Sequence, residues 1–253
     1  MLNMQVIVDN LAITYDLEGT GKLVLLLHGW GDDHRTFSKL AAQLRSRYQV
    51  LTLDLPGFGS SQVPAQPWNL DDYANLVASF LTKLNLAMPE VIIGHSNGGA
   101  LAIRALSLGK LKTQKLVLLA SSGIRNTHLT RRFLTKIVAK TGKIVTVWLP
   151  LAKRQQLRKK LYGTIGSDLL VALALQQTFK LTVRQDVQVD AAKIKLPVLL
   201  IFADQDPAIP ESDGKRYHEL MTNSKLEIIS GNDHFIHQQQ SETVNHLIEA
   251  FLR

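Results

Sequence analysis

The sequence predicts an α/β protein built on a mostly parallel, doubly wound sheet, with a helical segment inserted late in the chain. Three observations predict it. Short runs rich in Val, Ile and Leu alternate with stretches of helical periodicity. Several of these runs are apolar at every position, as strands covered by helices on both faces are. About 80 residues without a strand-like run separate Leu116–Leu119 from Val198–Phe202, where a parallel crossover needs only one helix.

In chain order the strand runs are Val6–Val8, Ala12–Tyr15, Leu23–Leu27, Val50–Leu53, Val91–Ile93, Leu116–Leu119, Val198–Phe202 and Leu226–Ile229. Helical spacing covers Thr36–Arg47, Leu70–Leu86, Asn97–Leu108, Glu211–Met221 and Ser241–Leu252. Asp71 and Asp72 stand in the first turn of the second helix, where the helix dipole favours acids, and Gly109 suits a left-handed cap ending the third. Within the long gap, Leu129, Phe133, Leu134, Ile137 and Val138 recur at helical spacing between basic residues, and Leu169–Leu175 is apolar nearly all round, as a buried helix is. An insertion at this point stands over the carboxyl ends of the strands, where open α/β sheets bind ligands.

Composition removes several classes of chemistry. The chain has 253 residues, 45% hydrophobic and 20% charged, enough for a full core and far from a disordered composition. The absence of cysteine excludes disulfides, thiolate catalysis, iron–sulfur clusters and cysteine zinc sites. No apolar run approaches the ~20 residues of a membrane span. Met1–Tyr15 carries Asp9 and alternating polarity rather than a signal-peptide pattern, so the expectation is a cytoplasmic protein without stable membrane insertion.

The net charge of +8 is unevenly placed. Residues 91–167 contain 15 Lys+Arg and no acid, while the rest of the chain is net acidic. Three readings of that segment stay open: a solvated basic surface, a surface that steers an anionic or carrier-bound substrate, and a lipid-facing surface around Trp148. Nucleic acid is not expected, because no recognition motif accompanies the charge.

Chemistry is carried by four motifs. Gly94-His95-Ser96-Asn97-Gly98-Gly99 follows one strand and opens a helix, the context of a nucleophile elbow in which a strained turn exposes Ser96 above a helix N-terminus. His28-Gly29-Trp30-Gly31 closes the strand Leu23–Leu27. In this arrangement the backbone N–H groups of Trp30 and Asn97 form the oxyanion hole, and His28 is a structural hydrogen-bonding residue rather than a base. Two aspartates follow the strand Val198–Phe202. Asp206, between the strand end and Pro207 and Pro210, is the choice to orient a histidine, because Asp204 still lies at the strand end. His234, in Gly231-Asn232-Asp233-His234-Phe235 after the last strand, is the expected base. His237 is its competitor, but a His234/His237 pair without further nearby ligands does not make a metal site. The order Ser96, Asp206, His234 is that of a serine hydrolase of this architecture.

On these motifs, together with Asp54-Leu55-Pro56-Gly57-Phe58-Gly59-Ser60-Ser61, the chain resembles the α/β-hydrolase superfamily over essentially its whole length, and within it the lid-bearing serine hydrolases. The resemblance implies an eight-stranded α/β-hydrolase core at 1–121 and 193–253, with a helical cap at 122–192 inserted after strand 6. It implies no cofactor and no metal, and a loop at Asp54–Ser61 kept for its shape. The implied activity is hydrolysis of carboxylic esters, or of lactones or thioesters, on a small molecule. A carbon–carbon bond hydrolase and a slow-turnover receptor with the same triad are the alternatives. A serine nucleophile argues against the dehalogenase and epoxide hydrolase chemistries, which use aspartate on this scaffold.

Overall fold

The computed structural model describes residues 4–125 and 166–253, with side chains from 175 onward in the second stretch. The Leu129–Val138 pattern and Trp148 lie outside the described residues. Eight strands form one sheet in the order β1-β2-β4-β3-β5-β6-β7-β8. β1 (Met4–Val8) and β2 (Leu11–Glu18) are joined by a two-residue turn at Asp9 and Asn10, whose positive φ of 48° and 63° is the conformation that tight hairpins require. β2 is antiparallel to β4 (Gln49–Leu53), while β3 (Leu23–Leu27), β5 (Val91–His95), β6 (Lys115–Leu119), β7 (Val198–Ala203) and β8 (Ser224–Ile229) run parallel.

The helices are α1 (Ser38–Leu44), α2 (Leu70–Lys83), α3 (Asn97–Ser107), α4 (Gly166–Arg184), α5 (Gln188–Ala191), α6 (Glu211–Leu220), α7 (Ile236–Gln239) and α8 (Ser241–Leu252). Strand side chains alternate between two apolar layers. Leu25, Leu27, Ile92 and Leu118 pack with Tyr73 of α2, Leu101 of α3 and Tyr217 of α6. Val24, Leu26, Ile93 and Val117 pack with Leu40 of α1 and Ile248 of α8. Both faces are therefore covered, which is why these strands read as unbroken apolar runs.

Local chemistry moved some helix ends. The expected helix Thr36–Arg47 is a 3-10 turn, His34–Phe37, followed by α1, because the Asp33 side chain caps that turn by accepting from the Arg35 N–H. α2 begins in a capping box made by Asn69 and Asp72, and ends at Lys83 rather than Leu86, with Asn85 at a φ of 51°. Gly109, at a φ of 67°, takes the left-handed position after α3.

The returning limb of the insertion is anchored by charge. Arg104 of α3 meets Asp71 at 2.7 Å and Asp190 at 3.1 Å, joining α2, α3 and α5. Val187 and Ala191 are fully buried in the core layer that holds α3, so core packing resumes within the 122–192 span. Among the described residues no helix is long and apolar enough to cross a membrane.

The sheet order reverses at β3, which has β4 on one side and β5 on the other. The loops leaving β3 and β5 therefore diverge at a switch point, the place where open α/β sheets hold ligands. Those two loops begin at His28 and Ser96.

Candidate active site

Ser96 links β5 to α3 with φ 51° and ψ −116°, outside the ordinary regions for a residue with a side chain. Backbone contacts impose that geometry. The Ser96 N–H donates to the Leu119 carbonyl at 3.0 Å. Its own carbonyl accepts from the N–H groups of Gly99 (3.0 Å), Ala100 (3.3 Å) and Ser122 (3.1 Å). Two flanking positions admit only glycine. A Cβ on Gly94 would lie 2.6 Å from Gly98 O and Gly99 Cα, and one on Gly98 would collide with the carbonyls of Leu27 and His28.

Asp206 and His234 stand on the loops after β7 and β8. His234 Nδ1–H donates to Asp206 Oδ2 at 2.7 Å, and the Asp206 side chain is fully shielded from solvent. The other carboxylate oxygen, Oδ1, accepts from the N–H groups of Ala208 (2.7 Å) and Ile209 (2.9 Å). The carboxylate is thus held at both oxygens, and the bond at Nδ1 leaves His234 Nε2 as the basic nitrogen. Asp204 does something else: its Oδ1 accepts from the Gly231 N–H at 2.8 Å, tying the β7 loop to the β8 loop. Asp213 of α6, also buried, has its carboxyl pushed up to about 7 by burial and by the nearby charge of Asp206.

The serine and the histidine loop meet through His95. This residue precedes Ser96, and its ring centroid lies 4.8 Å from that of His234. Its Nε2–H donates to the His234 carbonyl at 3.0 Å, so β5 holds the histidine loop directly. Burial pushes the His95 imidazole well below its usual range, which keeps it neutral. The sequence offered only a weak signal for this role, since His95 occupies the unspecified position of G-x-S-x-G.

The elements around the serine complete the arrangement. Trp30 N–H and Asn97 N–H have no acceptor among the described residues, Asn97 being the first residue of α3, where helical N–H groups are free. His28 is saturated: Nδ1–H donates to Gly29 O at 2.8 Å and Nε2 accepts from the Leu55 N–H at 2.9 Å. Fully buried, with both nitrogens bonded and its pKa lowered by burial, it shapes the loop and has no free nitrogen to act as a base. The Trp30 ring packs 4.8 Å from Phe58 and 4.9 Å from Phe179 of α4, giving an apolar wall beside the expected oxyanion position.

The loop at Asp54 has its own ion pair. Asp54 Oδ1 accepts from both the backbone N–H (2.8 Å) and Nδ1 (2.6 Å) of His34, and Oδ2 accepts from the Ser60 N–H at 2.7 Å. The hydrogen bond to Asp54 raises the His34 pKa against its burial, with the charges of Asp54 and Asp16 adding to the effect. Burial pushes Asp54 up, but its bonds to His34 and Ser60 outweigh this and leave it lowered.

The model of the "Alpha/beta hydrolase family" matches residues 24–247. An uncharacterized hydrolase of Bacillus subtilis is 27% identical over 267 residues, covering 97% of this chain and 96% of its own. A pimeloyl-[acyl-carrier protein] methyl ester esterase of Neisseria meningitidis is 28% identical over 229 residues, covering 84% of this chain and 86% of its own. Among solved structures, an esterase from Exiguobacterium antarcticum superposes with a TM-score of 0.79 at 19% identity over the whole of both chains. An E-2-(acetamidomethylene)succinate hydrolase gives 0.80 at 17% identity, covering 99% of this chain and 98% of its own. At these identities the two structures speak for the fold alone.

Proposed function

Since this chain belongs to the alpha/beta hydrolase family, we propose that it is a serine hydrolase of carboxylic esters acting through Ser96, His234 and Asp206. The observation that carries the reading is the conjunction of a backbone-strained Ser96 with a His234–Asp206 pair on the adjoining loops. His234 Nε2 takes the Ser96 proton as the serine oxygen attacks the ester carbonyl carbon. Asp206 holds the tautomer and stabilises the imidazolium that forms. The N–H groups of Trp30 and Asn97 receive the charge that develops on the carbonyl oxygen, each worth roughly 3 kcal/mol of transition-state stabilisation. Collapse expels the alcohol, protonated by His234, and leaves an ester on Ser96. Water then gives its proton to the same nitrogen as it attacks the acyl-enzyme, and collapse returns that proton to Ser96 Oγ as the carboxylic acid departs.

The apolar wall of Trp30, Phe58 and Phe179 supports an acyl group of hydrocarbon character over a charged one at the carbonyl. A graded panel of acyl esters, lactones and thioesters, run with wild type and Ser96→Ala, tests the reading. Wild type is expected to exceed the variant by at least about 10⁴-fold on its best substrate. Equal rates on every member of the panel would overturn it.

The acid-free segment at 91–167 bears on which ester enters. One Neisseria relative is named for a carrier-bound methyl ester, and an anionic carrier suits a basic approach. Activity that falls with salt on an anionic ester but not on a neutral one assigns the segment to steering. Indifference on both leaves it a solvated surface.

A further inference from the structure

Behind the His95 ring lies a second group of polar side chains that the hydrolytic reaction does not use. Asp32, on the loop after β3, His95 at the end of β5 and His237 in α7 bring one ligand atom each to within 4.8 Å of one another. Asp32 Oδ2, His95 Nδ1 and His237 Nδ1 are buried and have no hydrogen-bond partner among the described residues. His95 is 1% and His237 4% exposed. Three convergent orphaned atoms in one place are costly unless something satisfies them together.

The outer bonds of the two imidazoles show what would satisfy them. His95 Nε2 lies 3.0 Å from the His234 carbonyl, which can only accept, so the hydrogen is on Nε2 and Nδ1 presents a lone pair. His237 Nε2 lies 2.8 Å from Thr36 Oγ1. Imidazoles anchored at one nitrogen by a carbonyl or hydroxyl, with the other left unbonded, have the arrangement that surrounds metal-ligating histidines. The second carboxylate oxygen, Asp32 Oδ1, is likewise held, by the Asp33 N–H at 2.9 Å.

We propose that Asp32, His95 and His237 form a binding site for one first-row divalent cation of the Zn²⁺ class, separate from the hydrolytic residues. Two imidazole nitrogens and one carboxylate oxygen suit Zn²⁺, Co²⁺ or Ni²⁺, and not Mg²⁺ or Ca²⁺, which take all-oxygen sets. Tetrahedral ligands at about 2.0–2.1 Å from the ion stand roughly 3.3 Å apart, so small side-chain rotations close the group around it. The other group with ligand-like spacing among the described residues, Asp33, His34 and Asp54, is different: His34 Nδ1 there is already bonded to Asp54. An ion at the proposed site cross-links the loop of Trp30, the strand leading into Ser96 and the helix after His234, and so stiffens the frame of the site.

The experiment is Zn²⁺ binding to the full chain after dialysis against a strong chelator. Expected are one equivalent by elemental analysis, a micromolar or tighter Kd by competition with a chromogenic indicator, and a rise in Tm. Co²⁺ in its place should give the visible absorption of a four-coordinate site. Asp32→Asn and His237→Gln, the latter retaining a polar group toward Thr36, should each weaken binding by at least about 100-fold. Ser96→Ala and His218→Ala should bind as wild type, which separates this site from the reaction and from exposed histidines. Less than a tenth of an equivalent, or full affinity in both ligand variants, would overturn the proposal. If either variant fails to fold, ¹⁵N-histidine spectra of the wild type decide. Zn²⁺ must shift Nδ1 of His95 and His237 and spare His28; a pattern confined to other histidines, or a bound water alone in a crystal grown with Zn²⁺, rejects the site.

Discussion

At Ser96 the chain is fixed by backbone alone, with one N–H donated and three accepted around a strained residue, and glycines where any Cβ would strike a neighbouring carbonyl. At Asp206 and His234 the chain is fixed by side chains: Asp206 on two N–H groups and the imidazole, Asp204 on Gly231, His95 on the His234 carbonyl. The difference separates stability from activity. Where backbone packing sets the geometry, a substitution that disturbs it disturbs the fold. Where polar side chains set it, the reaction can be lost while the sheet survives.

The largest effect expected on that comparison is Asp206→Asn, which keeps an oxygen for Ala208 and Ile209 but favours the wrong His234 tautomer. kcat on the best ester should fall about 10⁴-fold, as for the same change in other triads, with the urea midpoint nearly unmoved. Comparable loss of stability would break the contrast. Gly98→Ala comes next. It forces a methyl group into the Leu27 and His28 carbonyls, and should cost about 3 kcal/mol in chemical denaturation or prevent folding.

His34→Gln probes the ion pair under the Asp54 loop and should cost about 2 kcal/mol near pH 6. The folded pKa of His34 is raised, so its contribution is fully present below the unfolded value near 6.5 and is lost as pH rises through the folded one. Denaturation curves of wild type and variant should therefore converge at alkaline pH, and a constant gap would show that the pair does not depend on the imidazolium. Asp204→Ala, which frees Gly231, is the mildest: roughly tenfold in kcat and about 1 kcal/mol in stability, with KM little changed.

These contrasts also show how much could be read from the chain. The parallel strands were legible because burial on both faces leaves unbroken apolar runs such as Leu23–Leu27 and Val198–Phe202. The elbow was legible because its strain demands small residues at fixed spacing around a serine. Helix ends were less so: Asp33 diverts the chain into a 3-10 turn through a side-chain bond that periodicity does not register. The four-residue helices α5 and α7 are too short to show a period at all. Least legible were residues acting across long separations. His95 reaches the His234 carbonyl, and Asp32 meets His237, only because the sheet order sets β3 beside β5 and brings the last loops back over them.

The most direct test of the central claim is intact-mass analysis after treatment with an uncharged fluorophosphonate, which phosphonylates a serine activated as a nucleophile far faster than an ordinary hydroxyl. Wild type should gain one phosphonyl group, located at Ser96 by peptide mapping, with Ser96→Ala unlabelled and His234→Ala labelled at least about 10³-fold more slowly. Labelling of wild type at another residue, or equal labelling rates in wild type and His234→Ala, would contradict the assignment of Ser96 and His234 to the reaction.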